Sequence, residues 1–351
     1  MTSQAAVKII IPAYNNPTLL RETLQSLKNQ KFEQYSVLII DDNSPEALFP
    51  HVQDFLADSR FKFKRNPINL GGMQSVAEVL NSTVERYFMI LHHDDVLDEA
   101  FLYEIVENGL ELDKRVGLAS SLFCVKSNED ISEYTEHLIP NFPTGNFDLT
   151  WHILFSNWMI QSFTVYRTKA LIDSGAITRW IKRNANRGGN LLGRVSAGEW
   201  YINAIVSRYN LSHFNQSRLG HYIRHADGRT ETNSDFRIEE VSFVLDHIFD
   251  DVDVFSLEQR YFAKSVSNGR IFSNKSTWRA FVDLVENSSY SRTPFKPRWL
   301  NRDFIQVVGD QIKHVLNHTI RDSKIGAGQR LISMEELTSY ECEHQRLLSL
   351  N

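Results

Sequence analysis

Strand-like and helix-like segments alternate through the first third of the chain, and few folds accommodate that order. Residues 7–11, 37–40 and 87–91 are short apolar runs, typical of strands that are buried on both faces. Between them, apolar residues recur at helical spacing: Leu19, Leu20, Leu24 and Leu27 in one segment, and Val76, Val79, Leu80 and Val84 in the other. This order predicts an α/β fold, with a mostly parallel sheet and helices on both faces.

Polar residues lie just after the strands of such a sheet, at residues 12–16, 41–44, 66–72 and 92–95. Ligands of parallel sheets bind beyond the carboxyl ends of the strands, where the loops converge. We therefore expect these four loops to share one ligand-binding rim.

Asp94 and Asp95 stand side by side at the end of one predicted strand. Aspartate also caps helices and shapes turns, but Asp98 is better placed to begin the helix that follows. Two adjacent carboxylates can hold a hard divalent cation, particularly when a substrate diphosphate supplies further ligands. The pair therefore predicts a cation site.

Three other features of the predicted rim suit a nucleotide. Tyr14 could stack on a base, Asp42 could accept a hydrogen bond from a base imide, and the glycines of residues 69–72 would let the backbone approach a ligand. Each also has an ordinary structural explanation, since Tyr14 fits a core, Asp42 fits a turn and a glycine pair fits a bend.

Three motifs in this order, "VKIIIPAYNNPTLLRETLQSLKNQKFEQYSVLIIDDNSPE", "NLGG" and "HHDD", resemble the nucleotide-binding half of family 2 glycosyltransferases. The resemblance covers residues 7–112 and extends less closely to about residue 230. It implies a Rossmann-like GT-A fold over residues 1–230. Helical spacing further along the chain predicts a C-terminal helical domain over residues 231–351.

The resemblance also implies an activity. Enzymes of this type transfer a sugar from a nucleoside-diphosphate sugar, most often a UDP-sugar, to a hydroxyl of a glycan or lipid-linked acceptor. The transfer is metal-dependent and inverting, and it serves the synthesis of surface polysaccharides. An inactive nucleotide-sugar or glycan binding module of the same fold stays open as an alternative, because fold does not dictate function.

Carried over residue by residue, the resemblance assigns nucleotide-sugar binding to Pro12, Tyr14, Asn15, Asp42, Asn69, Gly71, Gly72 and Asp94. It makes Asp95 the direct ligand of Mn²⁺ or Mg²⁺. The family motif is often Asp-x-Asp, and here His93 takes its first position. In "HYIRHADGRTE", His225 is the candidate second metal ligand, and His221 is its rival.

A later segment, "SAGEWYINAI", is similar to the part of these enzymes that carries the catalytic base. It implies that Glu199 deprotonates the acceptor and that Trp200 beside it contacts the acceptor. The alternative for Glu199 is a first-turn acid, which the positive end of a helix dipole also favours.

Other functional classes fit less well. No Gly-x-Gly-x-x-Gly follows the first predicted strand, which argues against a dinucleotide-dependent oxidoreductase. The formal net charge is −5, with 43 acidic and 38 basic residues, so a basic field for nucleic acid is missing. A processive polysaccharide synthase is disfavoured because Glu199 is not followed by a Gln-x-x-Arg-Trp motif.

The cysteine content and the apolar runs of the chain indicate its cellular compartment. The chain has 2 cysteines, far apart, which fits a reducing compartment, and its first apolar run is well short of the about 18 residues of a spanning helix. We therefore expect a cytoplasmic protein. The cluster Lys296, Arg298 and Arg302 with Phe295 and Trp299 suggests peripheral contact with the inner face of a membrane, and the C-terminal helices offer a surface for a homo-oligomer.

Overall fold

The computed structural model describes residues 5–126, 131–133, 143–149, 159–185, 198–225 and 228, together with isolated positions after residue 243. The strands are β1 (Val7–Ala13), β2 (Tyr35–Asp41), β3 (Phe61–Arg65), β4 (Tyr87–Ile90), β5 (Val96–Leu97), β6 (Val116–Lys126), β7 (Ile131–Glu133), β8 (Gly145–Phe147), β9 (Thr164–Arg167) and β10 (Leu211–Ile223). The helices are α1 (Pro17–Lys28), α2 (Phe49–Val52), α3 (Gly72–Leu80), α4 (Phe101–Ile105), α5 (Thr168–Ser174), α6 (Ala176–Ala185) and α7 (Gly198–Ser207).

Within the described residues these strands form one sheet, in the order β3-β2-β1-β4-β9-β6-β10-β5, with β7 on β6 and β8 on β10. The first four strands are parallel, as the sequence predicts. β9 then runs antiparallel to both β4 and β6, while β10 is parallel to β6. The α/β prediction is confirmed, and the second half of the sheet is mixed.

The strands in the parallel half of the sheet are buried. All four residues of β4 are buried, and the inward residues of β1 and β2 are fully covered. On one face lies α1, which buries Leu20, Leu24 and Leu27. Full burial of each leucine contributes about 1.5–3 kcal/mol. Asn16 caps this helix, accepting a hydrogen bond from the Leu19 N–H at 3.3 Å, and Pro17 occupies its first position.

The predicted helix containing Val84 is shorter than its periodicity indicates. α3 ends at Leu80, and Val84 is 76% exposed. Ser82 and Thr83 each donate a side-chain hydrogen bond to the Val79 carbonyl, at 2.9 and 3.0 Å. These bonds compete with helix continuation and turn the chain toward β4. The inclusion of Val84 was therefore wrong.

Three asparagines adopt left-handed backbone conformations where the first two strands end: Asn15 (φ 59°), Asn16 (φ 51°) and Asn43 (φ 61°). Asparagine tolerates this region better than other residues that carry a side chain. The sharp turns bring the two loops together, and the Asn15 N–H donates to Ser44 Oγ at 2.9 Å. The polar loops after β1 and β2 thus share one rim.

The chain divides into two compact units, one comprising Met1–Ile153 with Asn157–Val252 and the other comprising Leu154–Ser156 with Asp253–Asn351. The predicted domain boundary at residue 230 stays a prediction. The predicted C-terminal helical domain and its basic cluster at 295–302 lie outside the described residues, apart from isolated positions. In the part of the chain that the structure describes, no helix has both the length and the apolarity needed to cross a bilayer.

Candidate active site

Asp42, just past the end of β2, organises the glycine-containing loop of the rim. Its side chain is buried, and its carboxylate accepts hydrogen bonds from the Leu70 N–H at 2.9 Å and the Gly71 N–H at 2.7 Å. Asn66 adds a side-chain bond at 2.8 Å. Gly71 has φ 83°, a conformation that favours glycine. Asp42 therefore shapes residues 69–72, and its predicted contact with a nucleotide base stays a prediction.

The other residues predicted to bind the nucleotide sugar also lie on this rim. Tyr14 is 44% exposed, and Asn15 and Asn69 are exposed. A Cβ placed on Gly72 would come within 3.4 Å of the Pro12 side chain, so the start of α3 lies against the end of β1. An exposed aromatic ring beside exposed polar side chains leaves this part of the rim open to a ligand.

Asp94 and Asp95 lie in the loop after β4 and form a compact cluster with His92. One ligand atom from each of these three residues lies within 4.8 Å of the others. The His225 ring joins them, with Nε2 3.0 Å from Asp94 Oδ2. The structure thus brings together both predicted aspartates and the predicted histidine, and adds His92.

Asp95 is fully buried, and its two oxygens differ. Oδ1 accepts a hydrogen bond from the Ile223 N–H at 3.2 Å. Oδ2 is buried and has no hydrogen-bond partner among the described residues, and the same holds for His225 Nδ1. Leaving a buried carboxylate oxygen unpaired is costly. A divalent cation would satisfy it, so the residues present fit such an ion.

The ionisable groups of this cluster shift one another's pKa values. Burial, followed by the charge of Asp94, raises the pKa of Asp95 to about 7. Burial also acts to raise the pKa of Asp94, but His93, His92 and His225 outweigh it and that pKa is lowered. For His92, burial is outweighed by Asp95, Glu199 and Asp94, so its pKa is raised. Without a cation, the cluster therefore holds protons near neutral pH.

Glu199 lies in the first turn of α7, next to this cluster. Its Oε2 accepts a hydrogen bond from the Gln161 N–H at 3.1 Å, and its charge contributes to the raised pKa of His92. Trp200 is 5% exposed. A ring so covered presents little area to an acceptor in this conformation, and its predicted contact with the acceptor stays a prediction.

A comparison with known families decides what kind of domain carries this site. Residues 8–175 match the family model described as Glycosyl transferase family 2. Residues 8–175 therefore carry a domain of that family. The matched span contains the whole rim and the Asp94–Asp95 pair, and it ends before Glu199.

Curated relatives of this chain match over part of their length. An uncharacterized glycosyltransferase of Haemophilus influenzae is 27% identical over 175 residues, which are 47% of this chain and 54% of that protein. The poly-beta-1,6-N-acetyl-D-glucosamine synthase of Staphylococcus epidermidis is 24% identical over 102 residues, 29% of this chain and 25% of the synthase. The chain thus spans about half or less of these relatives.

Solved structures resemble this chain over nearly all of its length. S. aureus TarS 1-349 in complex with UDP-GlcNAc gives a TM-score of 0.53 at 13% identity, covering 98% of this chain and 90% of that one. Mannosyltransferase PcManGT from Pyrobaculum calidifontis, in complex with GDP-Man and Mn²⁺, gives 0.52 at 13% identity, with coverages of 92% and 89%. At such identities the likeness concerns the fold, and it confirms the predicted GT-A architecture.

The sequence analysis missed two site residues of this family 2 domain, Gln161 and Ser162. The His92 N–H donates to Ser162 Oγ at 3.1 Å, and His92 Nε2 lies 3.3 Å from Gln161 Oε1. Both partners precede β9, whose antiparallel pairing with β4 brings them to the Asp94–Asp95 loop. The run IQSFTVY at residues 160–166 has a strand-like composition, but its pairing with β4 joins segments far apart in the chain and leaves no local pattern.

The rival metal ligand, His221, lies elsewhere. It lines a cavity of about 440 Å³ between α1, β5 and the end of β10, which contains none of the predicted site residues. Its Nδ1 is buried without a hydrogen-bond partner in the described part of the chain. The contact of His225 with Asp94 makes His225 the better candidate of the two.

Proposed function

We propose that this family 2 domain is an inverting, metal-dependent glycosyltransferase. It moves a sugar from a nucleoside-diphosphate sugar, most simply a UDP-sugar, to a hydroxyl of a glycan or lipid-linked acceptor of a surface polysaccharide. The observation that carries the proposal is the grouping of Asp94, Asp95 and Glu199, since a cation-binding carboxylate pair and a candidate base meet at one rim.

The cation would be held by His92, Asp94 and Asp95, with His225 in contact with Asp94. Carboxylate oxygens with imidazole nitrogen suit Mn²⁺, and carboxylates alone would also suit Mg²⁺. When bound, such an ion offsets the negative charge that develops on a departing diphosphate. The buried, unpaired Oδ2 of Asp95 is the feature of this chain that supports it most directly.

The nucleotide would lie along the neighbouring part of the rim. The exposed ring of Tyr14 is available to stack on the base, and Asn15 and Asn69 are exposed on the same rim. Asp42 already holds Leu70 and Gly71 in place. We infer that Asp42 forms the floor of the nucleotide site, whether or not it also contacts the base.

Glu199 supplies the proton acceptor. As the acceptor hydroxyl forms its bond to the anomeric carbon, its proton passes to the Glu199 carboxylate, and the bond from that carbon to the diphosphate oxygen breaks. Attack opposite the leaving group inverts the configuration. A general base contributes about 10²–10⁴-fold to such a step. The hydrogen bond from the Gln161 N–H to Oε2 fixes this carboxylate beside the cluster.

A cytoplasmic placement is part of this proposal. Both cysteines, Cys124 and Cys342, are free thiols, as expected in a reducing compartment. We propose that the enzyme works at the inner face of a membrane, reached through the basic and aromatic residues of 295–302.

Incubation with a panel of UDP-, dTDP- and GDP-sugars and glycan acceptors, in Mn²⁺, tests the activity. We expect release of one nucleoside diphosphate together with a glycoside whose anomeric configuration, read by NMR, is opposite to that of the donor. A product with retained configuration would overturn the single-displacement mechanism, and tight donor binding without turnover across the panel would favour the inactive binding module.

A further inference from the structure

Gln161 lies between the two halves of the candidate site. It begins the short 3-10 turn Gln161–Phe163 that leads into β9, and it is buried. Its side-chain Oε1 lies 3.3 Å from His92 Nε2, and its backbone N–H donates to Glu199 Oε2 at 3.1 Å. One residue therefore contacts both the cation cluster and the candidate base.

The contact with Gln161 determines which face His92 offers to the cluster. A neutral imidazole carries one proton, and an amide oxygen can only accept. With Nε2–H donating to Gln161 Oε1, the lone pair of the ring lies on Nδ1, the nitrogen 3.7 Å from Asp95 Oδ2. Metal-binding histidines are commonly oriented in this way by an acceptor on the far ring nitrogen.

The position of Gln161 is itself fixed by a buried frame. Asn203, one turn after Glu199 on α7, donates its side-chain N–H to the Met159 carbonyl at 2.8 Å. The Tyr166 hydroxyl donates to Asn203 Oδ1 at 2.6 Å, and both residues are fully buried. Helix α7 thus binds the 159–161 segment at two points, through Glu199 and Asn203.

We infer that Gln161 is a positioning residue that aligns the cation site with the base. Its side-chain oxygen holds His92 with Nδ1 facing the cation, and its backbone N–H holds Glu199 beside the same cluster. This inference rests on the proposed function and adds to it a residue outside the acidic motifs.

Mn²⁺ binding by the full chain tests the side-chain role without any need for turnover. Gln161→Leu removes the acceptor for His92, Gln161→Glu retains an acceptor oxygen, and Thr164→Val is the matched control. Thr164 is buried in the same segment, and its hydroxyl contacts the Ile160 carbonyl at 2.9 Å and Ser120 Oγ at 3.1 Å. Mn²⁺ affinity is measured by calorimetry and by the loss of the free-ion EPR signal.

We expect Gln161→Leu to bind Mn²⁺ about 10- to 100-fold more weakly than wild type, the usual cost of losing an orienting partner of a metal ligand. Gln161→Glu and Thr164→Val should bind like wild type. Wild-type affinity in Gln161→Leu overturns the inference, and so does equal weakening in Gln161→Leu and Thr164→Val, which would show a general structural effect. Weak binding by Gln161→Glu excludes the acceptor role. A wild-type protein that binds no Mn²⁺ overturns the cation site of the proposed function as well.

Discussion

The backbone N–H of Ile223 donates to Asp95 Oδ1 over 3.2 Å, although the two residues are 128 positions apart in the chain. The end of β10 thereby closes over the loop that follows β4, while Oδ2 of Asp95 has no hydrogen-bond partner among the residues that the structure describes. A carboxylate so buried is unfavourable by itself and favourable when a cation balances it. Stability and function are therefore opposed at this residue.

Asp95→Asn should stabilise the cation-free protein at neutral and mildly basic pH. The pKa of Asp95 is raised to about 7, so the folded state holds a proton that the unfolded chain has released from its ordinary carboxyl. The free energy of unfolding therefore decreases as pH rises from about 4 to about 7. Above that range Asp95 is ionised in the folded state, and its buried charge opposes folding. Melts in EDTA at pH 5 and pH 8 should show a gain in Tm for the variant that is larger at pH 8. An unchanged or lower Tm at pH 8 would contradict the unpaired-carboxylate account.

Mn²⁺ binding should strengthen with pH up to about 7. The ion needs the ionised carboxylate, while Asp95 is protonated below its raised pKa of about 7. One competing proton lowers the apparent affinity by about tenfold for each pH unit below that value. Calorimetric titrations across this range, in buffers of different ionisation enthalpy, would also count the protons released. A flat affinity profile would exclude Asp95 as a ligand.

Glu199→Gln should abolish transfer and keep the donor site. The amide has the size of the carboxylate and still accepts from the Gln161 N–H, but it cannot take the acceptor proton. We expect turnover to fall by about 10²–10⁴-fold, with little change in the Kd for the nucleotide. Glu22→Gln, on the exposed face of α1, is the matched control, because it makes the same chemical change away from the site. Equal turnover by wild type and Glu199→Gln would refute the assignment of the base.

Asp42→Asn separates a structural role from base recognition. Of the two carboxylate oxygens, one accepts from Leu70 N–H and the other from Gly71 N–H. Asparagine keeps one acceptor and turns an N–H donor toward the other amide, at a cost of about 1–3 kcal/mol for the unsatisfied pair. Urea unfolding should show that loss in the ligand-free protein. If stability is unchanged and only the preference for the nucleotide base moves, Asp42 acts by reading the base.

The parallel half of the fold follows from local sequence. Buried runs such as that of β4, and the spacing of Leu20, Leu24 and Leu27 on α1, are sufficient because strand and helix periodicity are local properties. Val84 shows the limit of this approach, since its spacing continues a helix that side-chain bonds from Ser82 and Thr83 have already ended. The acidic motifs were likewise visible because neighbouring residues form them.

The rest of the site depends on contacts between distant segments. Gln161 and Ser162 reach His92 through the pairing of β9 with β4, and Ile223 reaches Asp95 from β10. No periodicity marks such pairings. The roles of Tyr14, Asp42, Glu199 and Trp200 in catalysis and binding stay predictions, although the structure places the first three on or beside one rim.

Thermal melts of the full chain with UDP, dTDP, GDP or CMP, each with Mn²⁺ or with EDTA, test the central claim most directly. A ligand at about 100 times its Kd stabilises the folded state by about 2.7 kcal/mol. The account predicts that one nucleoside diphosphate raises Tm, that the rise requires Mn²⁺, and that Asp95→Asn removes it. No rise with any nucleotide, or an equal rise in EDTA, would contradict a metal-dependent nucleotide-sugar site at Asp94 and Asp95.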